Sequence, residues 1–135
     1  MAALNGKWKL VSLDNFELYL DAVGVQGESR ERALKLLTPE NNIVQDISID
    51  GDNISIVTIT PVSPIEVNAQ NGVEFVSRYL DGREIKTLFT VDGDTLVEEI
   101  SGPFSSKIVR AIEGDQMVMK MSAGDVTSTR RYERA

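Results

Sequence analysis

Tight-turn signals recur at short intervals along the second half of the chain. They lie at Asp50-Gly51, Asn71-Gly72, Asp81-Gly82, Asp92-Gly93, Gly102-Pro103, Gly114-Asp115 and Gly124-Asp125. Asn-Gly and Asp-Gly pairs supply the positive φ of a hairpin turn at low steric cost. The segments between them are short and rich in Ile, Val, Thr and Phe, as antiparallel strands are. This spacing predicts a meander that closes into a barrel or folds into a sandwich.

The region between residues 14 and 38 follows a different period, because its apolar residues recur at helical spacing. The first apolar stripe consists of Phe16, Tyr19, Leu20 and Val23. It predicts a helix over 14–23, with Asp14 as the N-cap and Gly24 as the C-terminal stop. A second stripe, followed by Pro39, predicts a helix over 29–37. The predicted layout is one strand, two short helices and then a series of strands.

Composition limits the chain to one domain and narrows its chemistry. A chain of 135 residues with 41% hydrophobic content can build one core and is too short for two ordinary domains, so we expect a single domain over 1–135. It contains no cysteine and no histidine. A thiolate nucleophile, a zinc-thiolate site and a histidine-based triad are therefore excluded, and we expect no metal and no cofactor.

The charge balance argues against a nucleic-acid partner. The formal net charge is -7, whereas proteins that bind phosphate backbones need clustered Lys and Arg. The sequence shows neither a basic stretch followed by a long apolar run at its start nor a segment long enough to span a membrane. We expect a cytoplasmic protein, and, since no oligomerisation signal is visible, a monomer.

Two arginines and a tyrosine are predicted to point inward. Strand side chains alternate between faces, so Arg130 and Tyr132 share one face of segment 128–133 while Arg131 lies on the other. The same alternation places Arg110 between two inward isoleucines on segment 107–113. A buried guanidinium needs an anion, which is either a protein carboxylate or a ligand. The residues alone leave both alternatives open.

A row of methionines follows on the next strand. Met117, Met119 and Met121 share one face of their segment. An unbranched thioether adapts well to a flexible apolar ligand, but it also fills ordinary cores. The row therefore indicates either a ligand wall or core packing.

The order and spacing of several short motifs resemble the intracellular lipid-binding proteins, the family of fatty-acid-binding and cellular retinoid-binding proteins. The motifs are Gly6-Lys7-Trp8-Lys9-Leu10, Val23-Gly24-Val25, Gly72-Val73-Glu74-Phe75, Asp81-Gly82-Arg83, Ile108-Val109-Arg110 and Thr129-Arg130-Arg131-Tyr132-Glu133. The resemblance implies a ten-stranded antiparallel up-and-down barrel of two near-orthogonal sheets, with a helix-turn-helix lid and an internal cavity. It also implies that a ligand carboxylate is held by Arg110, Arg130 and Tyr132.

The resemblance further implies a set of cavity-wall residues, namely Phe16, Leu20, Val62, Val76, Met119 and Met121. Val62 stands in a proline-rich turn where the family often has a bulky Phe at the entrance. Glu98 is implied to point inward at a position that is commonly neutral. Its carboxyl group either pairs with Arg110 or is protonated in an apolar setting.

The resulting functional expectation is a non-catalytic carrier of a long-chain fatty acid or another hydrophobic carboxylate. Retinoic acid and bile acids are alternatives within the same family. An enzyme that acts on a bound lipid through Glu98 is the alternative of another class. Transient membrane contact through the lid helices is a further expectation, although segment 28–32 mixes both signs of charge.

Overall fold

The computed structural model describes residues 3–135 of the chain. The strands are β1 Gly6–Asp14, β2 Val44–Asp50, β3 Asn53–Ile59, β4 Ile65–Gln70, β5 Phe75–Arg78, β6 Glu84–Asp92, β7 Thr95–Ser101, β8 Ser106–Glu113, β9 Gln116–Ala123 and β10 Val126–Arg134. The helices α1 Phe16–Ala22 and α2 Gly27–Leu36, followed by a 3-10 turn at Pro39–Asn41, lie between β1 and β2. The predicted mixture of two short helices and many strands is therefore present.

The ten strands form one antiparallel ladder that curls into a nearly closed barrel. Their order is β4-β3-β2-β1-β10-β9-β8-β7-β6-β5, so the first and last strands of the chain are neighbours and β4 and β5 are the two ends of the ladder. Several hairpins turn through two residues, as at Gly93 and Gly114, where φ is +60° and +64°. The ten-stranded antiparallel barrel predicted from the sequence is confirmed.

The helices cover part of the barrel, with small differences from the predicted bounds. α1 packs against β9 and β10 and buries Phe16, Tyr19 and Leu20. The prediction that Asp14 caps α1 is wrong, because Asp14 ends β1 and its Oδ1 accepts a hydrogen bond from the Thr129 amide at 2.9 Å. The N-cap is Asn15, in the left-handed region with φ 52°.

The two ends of the chain are joined at the seam between β1 and β10. The guanidinium of Arg134 lies 3.9 Å from the centroid of the buried Trp8 ring and donates hydrogen bonds to the carbonyls of Ala3 and Asn5. The Trp8 indole donates to the Leu4 carbonyl at 2.8 Å. These contacts tie the segment before β1 to the end of β10.

Within residues 3–135, no helix combines the length and the apolar character that crossing a membrane requires.

Candidate ligand-binding site

A cavity lies inside the barrel, between the lid and the strands. The volume open to the centres of water-sized spheres is about 190 Å³. One water molecule needs roughly 10–15 Å³ of such volume, so this space far exceeds a packing defect. The apolar wall consists of Phe16, Leu37, Ile43, Ile65, Val67, Phe75, Leu80, Ile85, Ile100, Ile108, Met119 and Met121. The cavity therefore suits an elongated apolar molecule.

Strand register brings the two predicted arginines into one row. Met119 on β9 pairs with Arg110 on β8 and also with Arg130 on β10. Adjacent strands lie ≈ 4.7–4.9 Å apart, which places the two arginine Cα atoms roughly 10 Å from each other. Both side chains face the interior, and each arginine is only 4% exposed. The predicted inward orientation of Arg110 and Arg130 is confirmed.

Arg130 has only neutral partners. Its guanidinium stacks over the Phe16 ring at 4.3 Å and donates from Nη1 to the Leu37 carbonyl at 3.2 Å. Among residues 3–135 no carboxylate comes within salt-bridge distance of it. Burial lowers the pKa of the Arg130 guanidinium, and the nearby Tyr132 opposes that shift. Arg130 is thus a desolvated cation that faces a cavity without an anionic partner from the described chain.

Arg110 is in a different state, because it already has an anionic partner. Its Nη1 donates to Glu98 Oε1 at 3.0 Å, and its Nε donates to Gln45 Oε1 at 3.2 Å. Glu98 therefore points inward and forms an ion pair, which is the first of the two alternatives that the sequence left open. The ion pair holds both side chains at the cavity wall.

Tyr132 completes the polar end of the cavity. It is 1% exposed and lies two residues beyond Arg130 on the same face of β10. Its hydroxyl donates to the thioether sulfur of Met119 at 3.8 Å. Since a thioether is a weak acceptor, this hydroxyl can donate to a stronger acceptor inside the cavity.

A second polar cluster lies under the lid and includes Ser106 and Tyr79, two residues that the sequence did not single out. The hydroxyls of Tyr19 and Ser106 lie 2.6 Å apart, and Tyr79 donates to the Tyr19 hydroxyl at 3.4 Å. Ser106 in turn donates to the Ser122 carbonyl at 3.0 Å. Burial raises the pKa of both phenols, most strongly that of Tyr79. The cluster ties α1 to β8 and the β5–β6 turn.

The predicted wall residues divide into two groups. Phe16, Met119 and Met121 line the cavity. The other three, Leu20, Val62 and Val76, are not among the lining residues, so those wall predictions are wrong.

Each of the three has a physical reason. Leu20 is fully buried in the core beneath α1. Val62 is 78% exposed, because the Thr60 hydroxyl caps a tight turn that holds it outside the barrel. Val76 is 58% exposed, because the alternation on β5 turns Phe75 inward instead.

Gln45 is the functional-site residue that sequence reasoning missed most clearly. It is buried on β2 and touches Arg110 across the barrel. A signal was present, because Gln45, Ile47 and Ile49 alternate on one face of their strand. An amide on the same strand face as Ile47 and Ile49 predicts a polar group in the interior.

The family model that matches this chain covers residues 5–135 and describes the lipocalin / cytosolic fatty-acid binding protein family. The chain belongs to this family. Its fold, ten antiparallel strands in a nearly closed barrel with two helices, matches solved structures of fatty-acid-binding proteins.

Individual relatives and solved structures agree with this membership. The chain is 38% identical over 133 residues to sodium/calcium exchanger regulatory protein 1 of Doryteuthis pealeii, covering 98% of this chain and 97% of that protein. It is 34% identical to the muscle fatty acid-binding protein of Schistocerca gregaria, with 94% and 92% covered. The REP1-NXSQ fatty acid transporter superposes with a TM-score of 0.87 at 36% identity, covering 98% and 96%. A Schistosoma mansoni fatty acid binding protein in complex with arachidonic acid has a TM-score of 0.88 at 26% identity, covering 100% and 98%.

Proposed function

We propose that this protein carries a long-chain fatty acid in its internal cavity, with the carboxylate at the polar end that Arg110, Arg130 and Tyr132 form. The observation that carries the proposal is that two buried guanidinium groups and a buried phenol face one apolar cavity. A guanidinium stays charged at any relevant pH and offers paired donors to a carboxylate, while the phenol adds a neutral donor. The related protein described in complex with arachidonic acid supports the same class of ligand.

The acyl chain supplies most of the affinity in this proposal. At roughly 0.8 kcal/mol for each buried CH₂ group, a long chain contributes on the order of 10 kcal/mol before ordering costs. The wall is mainly Ile, Phe, Met and Leu. The polar end then sets the direction in which the ligand enters and rejects chains that lack an anionic head.

The experiment is a calorimetric titration of delipidated protein with palmitic acid and with hexadecan-1-ol, which has the same chain without the charge. We expect saturable binding of one palmitic acid, with hexadecan-1-ol at least roughly tenfold weaker. The Arg110→Gln/Arg130→Gln variant should lose the preference for the acid. Arg131→Gln is the matched control, because Arg131 lies on the outer face of the same strand. Equal binding of acid and alcohol by the wild-type protein would contradict the proposal.

Other carboxylates of similar bulk compete with the fatty acid in this scheme. Retinoic acid and bile acids carry the same anionic head, so the polar end does not separate them from palmitic acid. Their rigid rings need a wider cavity than a flexible chain does. Displacement of a fluorescent fatty acid by each of the three ligands ranks them, and we expect palmitic acid to displace it at the lowest concentration.

We infer that the protein is a non-catalytic carrier. Glu98 is the acid that an enzymatic function would use, and it is held by Arg110 at 3.0 Å. The Arg110 guanidinium occupies one oxygen of this carboxylate, and no second carboxylate is among the described residues that line the cavity. Incubation with candidate lipids should therefore yield no product by mass spectrometry. A product that disappears in Glu98→Gln would contradict this inference.

We further infer a cytoplasmic monomer whose lid contacts membranes transiently. A groove beside α2 is lined by Leu36, Leu37, Ile65 and Leu80 together with Arg32 and Arg78, so it offers an apolar path with a basic edge to an entering fatty acid. Light scattering should give the mass of a single chain of 14.9 kDa. Ligand transfer to vesicles should accelerate with vesicle concentration if the lid touches the bilayer, and should not depend on it if the ligand first dissociates into water.

A further inference from the structure

The charged side chains in the buried part of the cavity do not balance one another. Its charged lining residues are Arg78, Glu98, Arg110 and Arg130. Arg78 is exposed and donates to the Gly82 carbonyl at 3.1 Å, so it belongs to the rim. The buried part therefore holds two guanidinium groups and one carboxylate, which leaves one unit of positive charge.

The carboxylate is assigned to one of the two arginines by strand register. Glu98 on β7 pairs with Ile108, and Arg110 is two residues further along β8 on the same face. This diagonal position lets the 3.0 Å bond between Glu98 and Arg110 form without distortion. Gln45 takes the Nε donor of the same guanidinium at 3.2 Å. Arg110 is thus satisfied from two sides before any ligand arrives.

The remaining cation is Arg130. Its contacts are the face of an aromatic ring and one backbone carbonyl, both neutral. A buried cation gains most from an anion that arrives with the ligand, because its own solvation has already been lost. The weakly engaged Tyr132 hydroxyl lies on the same strand face, two residues away.

We propose that Glu98 sets the ligand specificity of this cavity by neutralising Arg110, so that the protein selects ligands with a single negative charge, held at Arg130 and Tyr132. This inference rests on the proposed function. In this scheme Glu98 and Arg110 neutralise each other at the polar end. Arg130 and Tyr132 remain available to bind the ligand's anionic group. A ligand bearing two charges would leave one of them buried without a partner, which is costly in an apolar cavity.

The test uses three probes of equal chain length: palmitic acid, hexadecyl phosphate and hexadecan-1-ol. A phosphate monoester carries nearly two negative charges at pH 8, since its second pKa is about 6. In calorimetric titrations at pH 8, wild-type protein should bind palmitic acid more tightly than hexadecyl phosphate. Glu98→Gln frees Arg110 and should tighten palmitic acid about tenfold and hexadecyl phosphate by more.

Further substitutions show which guanidinium is responsible for the change in affinity. The gain seen in Glu98→Gln should vanish in Glu98→Gln/Arg110→Gln, because the freed guanidinium is its source. Arg130→Gln should weaken palmitic acid at least about tenfold in the wild-type background. Lys120→Gln, on the exposed face of β9, is the control for a lost positive charge. If Glu98→Gln does not fold, Glu98→Met removes the charge with a side chain of similar length.

Two results would overturn the inference. The first is tighter binding of hexadecyl phosphate than of palmitic acid by the wild-type protein. This comparison requires no variant. The second is unchanged or weaker palmitic acid binding after the charge of Glu98 is removed. Failure of the proposed function looks different, because wild-type protein would then bind palmitic acid no better than hexadecan-1-ol.

Discussion

Glu98 and Arg110 form an ion pair with an N–O distance of 3.0 Å on the inner wall of the barrel. The pair joins β7 to β8, and its side chains are 16% and 5% exposed. A buried ion pair contributes little net stability, because desolvation offsets the attraction between the charges. Loss of one partner, however, leaves the other charge unpaired. Substitution of either partner is therefore expected to change both the stability of the protein and its ligand binding.

Arg110→Gln should destabilise the unliganded protein. The substitution leaves the Glu98 carboxylate without its cation, so we expect a loss of at least about 2 kcal/mol in the free energy of unfolding. Urea denaturation followed by the fluorescence of Trp8 measures it. Replacing both partners by Met should restore most of the stability, because no charge is then left unpaired. Equal losses in the single and the double variant would contradict this view of the pair.

Gly6→Ala should weaken the seam between β1 and β10. Gly6 has φ +119°, and a Cβ atom there would lie 2.6 Å from Nη1 of Arg134. We expect a loss of about 1–3 kcal/mol, because side chains rarely adopt this conformation and Arg134 must also move from Trp8. Thermal unfolding measures the loss. Gly51→Ala is the control, since φ is +58° there and nothing lies within 4 Å of the added atom; an equal effect would rule out the contact with Arg134.

Arg83→Gln should loosen the lid. The guanidinium of Arg83 donates to the Val23 carbonyl at the end of α1 at 2.6 Å, and it pairs with Asp81 at 2.6 Å. It also stacks on Phe104 at 4.9 Å. Without these contacts the turn after α1 should exchange its amide hydrogens faster, and a bound fatty acid should dissociate about threefold to tenfold faster.

The measurements for the lid are hydrogen exchange and stopped-flow displacement of a fluorescent fatty acid. Lys86→Gln is the control, because Lys86 is exposed on β6, three residues beyond Arg83. Unchanged exchange and unchanged dissociation in Arg83→Gln would show that the lid is held by other contacts.

Stability should fall in alkaline solution because of the two phenols under the lid. Burial raises the folded-state pKa of Tyr19 and Tyr79 above the unfolded value of about 10. Their contribution to the free energy of unfolding is therefore complete below the unfolded pKa, and it is lost as the pH rises toward the folded pKa. The midpoint of thermal unfolding should drop between about pH 9 and pH 11. Tyr79→Phe should flatten this drop; an identical slope in the variant would contradict the assignment.

Local rules of sequence explain most of the fold. The Asp-Gly turns and the period of two on β8 and β10 predict a meander that forms a barrel or a sandwich, and the helical spacing before Thr38 predicts two short helices. The same period of two predicts that Arg110, Arg130 and Tyr132 face inward. The family resemblance selects the ten-stranded barrel with its lid and cavity, and it assigns a ligand carboxylate to these residues.

The remaining features depend on particular side-chain hydrogen bonds, two of which join distant segments. Gln45 meets Arg110 across 65 residues, and no local pattern reports that distance. Val62 fails as a wall residue because the hydroxyl of Thr60 fixes the turn that carries it outward. Asp14 fails as a helix cap because pairing with Thr129 keeps it in β1. The hydrogen bonds of Gln45 and Asp14 join distant segments, whereas the one that fixes Val62 lies within its own turn.

The most direct measurement for the central claim is a crystal structure of the protein grown with palmitic acid. We predict one acyl chain along the apolar wall, with its carboxylate within hydrogen-bonding distance of Arg130 and Tyr132 and with the bond between Glu98 and Arg110 intact. A carboxylate at the rim of the cavity beside Arg78, with the methyl end against the two buried arginines, would contradict the account.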